Sequence, residues 1–267
     1  MIRENIEVKM NDDRLRKVRI LLPEDYERSS EKYPVLYMFD GQNVFDEEDS
    51  FGGVTWGVKE TVEKLVNEKK IRPLIIIALD NAGEKRLDEY GPWAFSDDTY
   101  SSEGKGKEFA AFFVESFIPI MEEKYPILTD KRSRFLAGSS MGALITAYLG
   151  TKYPKLFSSL GIFSLASWVS EKEFLKMIHK EGDFRETRFF IRVGTEESRG
   201  EKSGKVEIES SQKYVDNTLR FIKEVILKGA DAHHMSVNIA VGKTHNEEAW
   251  ASFMPEFLVW LVDSSSE

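Results

Sequence analysis

The sequence predicts an α/β fold: a mostly parallel central sheet with helices on both faces. Three observations carry this. Short apolar runs without polar alternation recur along the chain, as strands covered on both faces require. Segments with apolar residues at helical spacing separate them. Strand and helix signals then alternate from residue 35 to the C-terminal region, the order of β–α–β units with right-handed crossovers. The 267 residues contain no linker, internal repeat or composition break, so 1–267 reads as a single domain.

The elements follow in chain order. Ile6, Val8, Val18 and Ile20 alternate with polar residues and read as an antiparallel edge hairpin turned at Asn11–Asp13. The strand of this hairpin over Val18–Leu22 is followed by buried strands at Val35–Phe39, Leu74–Leu79, Arg134–Ala137, Leu160–Phe163, Phe189–Val193 and Val237–Val241. Helices are expected at about 57–68, 142–153, 171–179, 207–227 and 247–262. Between residues 106 and 125, Phe109, Phe112, Phe113, Phe117, Ile120 and Met121 share one helix face. Pro119 lies inside that pattern and should kink or split the helix. The stretch Asp80–Gly106 is too long for a plain connection and is expected to form a wall of the site.

Composition excludes several function classes. Hydrophobic residues are 41% and aromatics 12%, which is not a disordered composition. The net charge is −9 with no basic patch, which argues against a nucleic-acid partner. There is no cysteine, so no disulfide, thiol nucleophile or cysteine metal site is possible. The N-terminal region lacks an apolar signal segment, and no apolar run approaches the roughly 20 residues of a membrane span. The expectation is a cytoplasmic protein with no membrane partner.

One pentapeptide carries chemistry. Gly138–Gly142 reads GSSMG, after an apolar strand and ahead of a helical pattern. A serine on a tight strand-to-helix turn is presented as a nucleophile at a helix N-terminus, where free N–H groups favour a developing oxyanion. The alternative is a plain Gly/Ser turn. A serine hydroxyl needs a base, and the base an orienting carboxylate. Of four histidines, His179, His233 and His234 read as surface residues. His245 lies just beyond the last strand, where a loop at the carboxyl end of the sheet would carry it. The strand at Phe189–Val193 is followed by two candidate acids, Glu196 and Glu197. One oxyanion donor would be the Met141 amide. The other would come from the turn after Val35–Phe39, where Gly41 would free the backbone and Gln42 would donate. Trp93, Tyr90 and Phe95, with Trp168 from the other side, are candidates to line an acyl or aryl pocket, and Trp56 to lie in the core or pocket floor.

Several motifs stand in one order: YMFDGQNVFD, TWGVKETVEKL, IIIALDNAGEKRLDEY, FIPIMEEKYP, FLAGSSMGALITAYLGTKYPKLF, FSLASW, RVGTEE and GKTHNEEAW. Over about residues 5–262 the chain resembles the putative-esterase branch of the α/β-hydrolases, which includes enterochelin esterase-like proteins, esterase D and feruloyl esterases. The enterochelin esterase-like proteins are the closer match. The resemblance implies an α/β-hydrolase fold and a serine esterase without metal or cofactor. In that family the acid stands three residues after the glycine that ends its strand, here Gly194, which selects Glu197. The position after GSSMG, often glycine in the family, is Ala143 here. No large insertion follows FSLASW, so no cap domain is expected.

The reading is a carboxylic-ester hydrolase with Ser140, His245 and Glu197 as triad, Met141 and Gln42 as oxyanion donors, and Gly41, Trp93 and Trp168 against a small acyl or aryl ester. The alternatives are a siderophore trilactone esterase, an acyltransferase with the same triad, and a non-catalytic binding protein. Charge separates the first. In the wall stretch, Lys85, Arg86, Lys105 and Lys107 face Asp80, Glu84, Asp88, Glu89, Asp97, Asp98 and Glu103, and Arg199 adds one more base beyond the acid. That balance does not make the focused positive mouth a ferric trianion would need.

Overall fold

The computed structural model describes residues 1–263 apart from 98, 201 and 202. Asp98, one of the wall acids, therefore lies outside the described residues. The chain begins with the hairpin β1 (Ile2–Lys9) and β2 (Leu15–Leu22), then β3 (Val35–Phe39), α1 (Val58–Asn67) and β4 (Ile75–Leu79). Next come α2 (Arg86–Tyr90), a small hairpin of β5 (Phe95–Ser96) and β6 (Ser101–Ser102), α3 (Gly106–Phe112) and α4 (Ile118–Lys124). The second half runs β7 (Arg134–Ser139), α5 (Met141–Lys152), β8 (Ser159–Phe163), α6 (Glu171–Glu181) and β9 (Arg188–Glu196). It closes with α7 (Ile208–Leu227), β10 (Met235–Thr244), α8 (Glu247–Ala251) and α9 (Met254–Asp263).

Eight strands form one sheet in the order β1-β2-β4-β3-β7-β8-β9-β10. β1 and β2 pair antiparallel, as does β2 with β4, and every later pairing is parallel. The pleat sends alternate residues to opposite faces. In β3, Val35, Tyr37 and Phe39 enter one core with β7, α3 and α5, while Leu36 and Met38 enter a second core with α1 and α9. The inner strands are thus covered on both sides, which is why they read as unbroken apolar runs; β10, expected as a buried strand over Val237–Val241, is instead an edge strand that leaves Val237, Ile239 and Val241 exposed, because no strand pairs beyond it.

The order of the strands sets where a site can form. β4 lies on one side of β3, and β7 on the other, so the chain reverses its direction of winding between β3 and β7. The connections leaving those two strands diverge and open a crevice at their carboxyl ends. Residues Asp40–Asn43 and Ser140 occupy those ends.

Pro119 acts as expected, and one helix expectation is corrected. The helix carrying Pro119 does split, but through a π-helical turn at Phe113–Phe117 between α3 and α4. Pro119 has no N–H to donate, and its ring excludes the preceding carbonyl, so the ladder widens ahead of it. The expected helix over 247–262 breaks into α8 and α9, because Pro255 in the first turn of α9 cannot continue a helix from Ala251. The wall stretch, too long for a plain connection, holds α2 and the β5–β6 hairpin. From β8 to α6 there are only residues 164–170, with one 3-10 turn, so no domain is inserted there.

α5 is buried along residues 141–151. Its two threonines spare the core an unmet hydroxyl by donating to the carbonyls one turn back, Thr146 to Gly142 and Thr151 to Ala147, each at 2.8 Å. Across the sheet, Phe257 of α9 packs edge-on against Phe163 and tilted against Phe190, and its ring fills the space left by Gly161. Phe257→Ala should cost about 3–5 kcal/mol, read from denaturant unfolding, because the surrounding strands cannot collapse into the void. A loss below about 1 kcal/mol would refute this account of the second core.

Candidate active site

Ser140 sits between β7 and α5 at φ 57° and ψ −123°. A non-glycine residue held there carries backbone strain, which the surroundings must over-determine. They do so from three sides. The Ser140 N–H donates to Phe163 O at 2.9 Å, and its carbonyl accepts from Ala143, Leu144 and Ala166. Gly138 and Gly142 are needed for close approach: a Cβ on Gly138 would stand 2.4 Å from Gly142 O, and one on Gly142 3.1 Å from Asp40 Oδ2. Ser140 occupies the N-cap of α5 without capping it through its side chain. No described residue accepts a hydrogen bond from Ser140 Oγ, so the hydroxyl is uncommitted.

His245 and Glu197 meet in space. His245 Nδ1 lies 2.6 Å from Glu197 Oε2. The Glu197 side chain has no exposed surface, while His245 is about a quarter exposed at 23%. The other oxygen, Oε1, accepts from Ser164 Oγ at 2.7 Å and from the Gly194 N–H at 2.6 Å. Ser164 Oγ in turn accepts from Trp250 Nε1 at 2.9 Å. Gly194 has no room for a side chain, since a Cβ would lie 2.0 Å from Lys243 O. The imidazole is bracketed by two rings, Tyr214 at 5.0 Å and Trp250 at 5.2 Å between centroids. Burial pushes the Tyr214 hydroxyl up to about 12. Glu196 is turned away and paired with Arg199.

The turn after β3 is built differently from the sequence expectation. The left-handed residue is Asp40, at φ 55° and ψ 49°, and Gly41 is not left-handed. Gly41 is required instead because its Cα packs on β4, where a Cβ would be 2.6 Å from Ala78 O. It is buried and is not among the residues lining the cavity. Gln42 does line it, with its Oε1 accepting from the Asn81 N–H at 3.2 Å. Asp40 is held by a two-pronged Arg86, Nε to Oδ1 at 2.7 Å and Nη2 to Oδ2 at 2.8 Å, and by Asn81 Nδ2 at 2.6 Å. Burial disfavours the Arg86 charge, but Asp40 outweighs it and holds the guanidinium above the ordinary arginine range. Burial likewise pushes the Glu247 carboxyl up, and His245 and Arg86 oppose that shift.

A cavity of about 1070 Å³ joins these pieces, lined among others by Ser140, Met141, Gln42, His245, Arg86 and Trp168. The candidate aromatics divide. Trp168 lines the cavity and packs edge-on against Tyr214. Phe95 lines it too. Trp93 does not: it packs on Tyr148 and Phe174 beneath the wall, because α2 and the β5–β6 hairpin turn it towards the core. Tyr90 is fully buried under Asp40, whose N–H donates to its hydroxyl at 3.2 Å. Trp56 is core, against Phe163 and Trp250.

Sequence reasoning missed Asn43, Ser164, Tyr214, Glu247 and Trp250. Asn43, Ser164, Glu247 and Trp250 had a faint signal, since each sits in a stretch already singled out, YMFDGQNVFD, FSLASW or GKTHNEEAW. Tyr214 had none, because its α7 face is decided only by packing.

The chain is 27% identical over 253 residues to the uncharacterized protein YbbA of Bacillus subtilis, covering 92% of each chain. It is 25% identical over 165 residues to an endo-1,4-beta-xylanase/feruloyl esterase of Xylanibacter ruminicola, 60% of this chain and 21% of that one. Its fold is similar to that of a ferulic acid esterase, with a TM-score of 0.73, 19% identity and 98% of each chain covered. It is also similar to the enterobactin esterase FES of Shigella flexneri, with a TM-score of 0.74 and 15% identity over 98% of this chain and 58% of that one. Residues 9–261 match the family described as "Putative esterase", and the chain belongs to that family as an esterase.

Proposed function

We propose that this esterase cleaves carboxylic esters through Ser140, His245 and Glu197. The observation that carries the proposal is the buried Glu197 carboxylate, 2.6 Å from His245 Nδ1, behind a cavity that Ser140 also lines. Glu197 accepts the Nδ1 proton, which leaves the Nε2 lone pair directed away from it, and it stabilises the imidazolium that forms. Ser140 Oγ attacks the ester carbonyl carbon while its proton passes to His245 Nε2; the approach to Nε2 tightens as substrate seats. The tetrahedral oxyanion is met by the N–H of Met141, unpaired in the first turn of α5, and by that of Gln42. The C–O bond to the leaving alcohol then breaks as His245 returns the proton to it. Water, deprotonated by His245, attacks the acyl-enzyme, and the acid and free serine are released.

The cavity supports a neutral acyl or aryl ester. Phe51, Val54, Phe95, Tyr100, Trp168 and Tyr214 supply apolar surface. Of the bases counted from the sequence, Lys85, Lys105 and Lys107 do not line it. Arg86 and Arg199 do, but Asp40 and Glu196 already pair them. Among the acids of the lining, Asp49 is likewise paired, with Arg19, and Glu248 adds an acidic group.

Three measurements test this reading. Ser140→Ala should lower kcat by about 10⁴ to 10⁶ with an unchanged circular dichroism spectrum, since the covalent route is lost while the oxyanion donors stay. Turnover near wild type in the folded variant would sink the triad. Ser164→Ala removes a donor to Glu197 and leaves Trp250 Nε1 without its acceptor. It should cost about 1–3 kcal/mol of stability and lower kcat more than it raises KM; unchanged kcat and stability would show that Ser164 does not hold the acid. Finally, a neutral aryl ester and a ferric catecholate trilactone should be set in competition at low salt, where repulsion is least screened. The neutral ester should win in kcat/KM, and a preference of about tenfold or more for the ferric complex would reinstate a siderophore substrate.

A further inference from the structure

The turn carrying Gln42 and the loop carrying His245 come from opposite ends of the sequence, and one buried hydrogen bond joins them. Asn43 Nδ2 donates to Glu247 Oε1 at 2.9 Å, and both residues are buried. Among the described residues no other hydrogen bond links residues 40–44 to residues 244–248. Each partner is rigidly based. Asn43 Oδ1 accepts from the Phe51 N–H and the Asn43 carbonyl from the Trp56 N–H, both at 3.0 Å, while the Asn43 N–H donates to Asp40 O at 2.9 Å. Glu247 opens α8, whose first turn is capped by Asn246 Oδ1 accepting from the Ala249 N–H at 2.9 Å. Gln42 immediately precedes Asn43, and His245 precedes Asn246.

We propose that the Asn43–Glu247 pair is a positioning clasp that sets the distance between the Gln42 amide and the His245 imidazole. This rests on the function proposed above. Neither residue exchanges a proton or bond with substrate. Their effect is geometric: an oxyanion donor works only within about 2.7–3.1 Å of the developing charge, and a displacement of about 1 Å can cost about 100-fold in rate. Without the clasp no hydrogen bond among the described residues joins the two loops, and only side-chain packing such as that of Trp56 on Trp250 remains between them.

The test uses the full chain with Asn43→Ala, Glu247→Ala, Glu247→Gln and the double alanine variant. Steady-state kinetics on a p-nitrophenyl ester are read beside amide hydrogen exchange of peptides spanning 41–45 and 243–249, with β7 as folding control. Each single alanine change should lower kcat by about 10- to 100-fold with KM within about threefold. The double variant should be no worse than the poorer single one, since both remove the same bond. Glu247→Gln, whose Oε1 still accepts from Asn43, should recover most of the lost kcat. Exchange should quicken in both peptides when either residue is changed, and not in β7. A kcat loss under tenfold, a loss carried by KM, losses that multiply in the double variant, or exchange that changes only on the mutated side each overturn the clasp. If wild-type protein cleaves no ester, or Ser140→Ala cleaves it equally well, the proposed function fails and the exchange data alone judge the clasp.

Discussion

A carboxylate with no exposed surface is expensive to keep charged, because water would solvate it and an apolar interior does not. Glu197 is such a group, and much of the C-terminal half of the molecule is arranged around meeting its demand. Oε1 takes hydrogen bonds from Ser164, at the end of β8, and from the backbone of Gly194, near the end of β9. Oε2 faces His245, just beyond β10. Trp250 of α8 completes the shell by donating to Ser164. Three adjacent strands and the helix after them are thereby registered against one another at one edge of the cavity. The glycine at 194 belongs to the same constraint, since any side chain there would strike Lys243 O and displace the strand end that presents Glu197.

The other half of the cavity depends on a partly buried ion pair. Asp40 takes the left-handed conformation that turns the chain after β3, and Arg86 and Asn81 fix its carboxylate. The pair ties the turn to α2, and Gly142 lets the carboxylate lie against the start of α5. Arg86 is therefore committed to structure, although from its charge alone it would pass for an anion-binding group on the wall. The same holds for Arg199, held by Glu196. A count of charges in a loop overstates the field a cavity feels when the bases in it are already neutralised by neighbours.

Much of the architecture was legible because it rests on patterns local in sequence. β3 was read with its observed bounds, and β7, β8 and β9 to within a few residues, since strands covered on both faces leave unbroken apolar runs. The hairpin β1–β2 was legible because β1, at the sheet edge, has an exposed face that leaves alternation. The split at Pro119 followed from the missing N–H, whereas the break ahead of Pro255 was overlooked inside a strongly apolar helical pattern.

By itself the sequence determined the fold class, the strand–turn–helix setting of Ser140, and a short set of candidate partners for it, because each depends on periodicity, on glycine spacing or on the scarcity of a residue type. Only the tertiary structure decided which way side chains face. It set Gly41 against β4 instead of the cavity, turned Trp93 into the core, and brought Tyr214, Ser164 and Trp250 around His245 and Glu197. It also joined Asn43 to Glu247 across almost the whole chain. The reason is physical: orientation and long-range pairing are fixed by packing between elements and by strand order, and neither leaves a mark in the residues next to them.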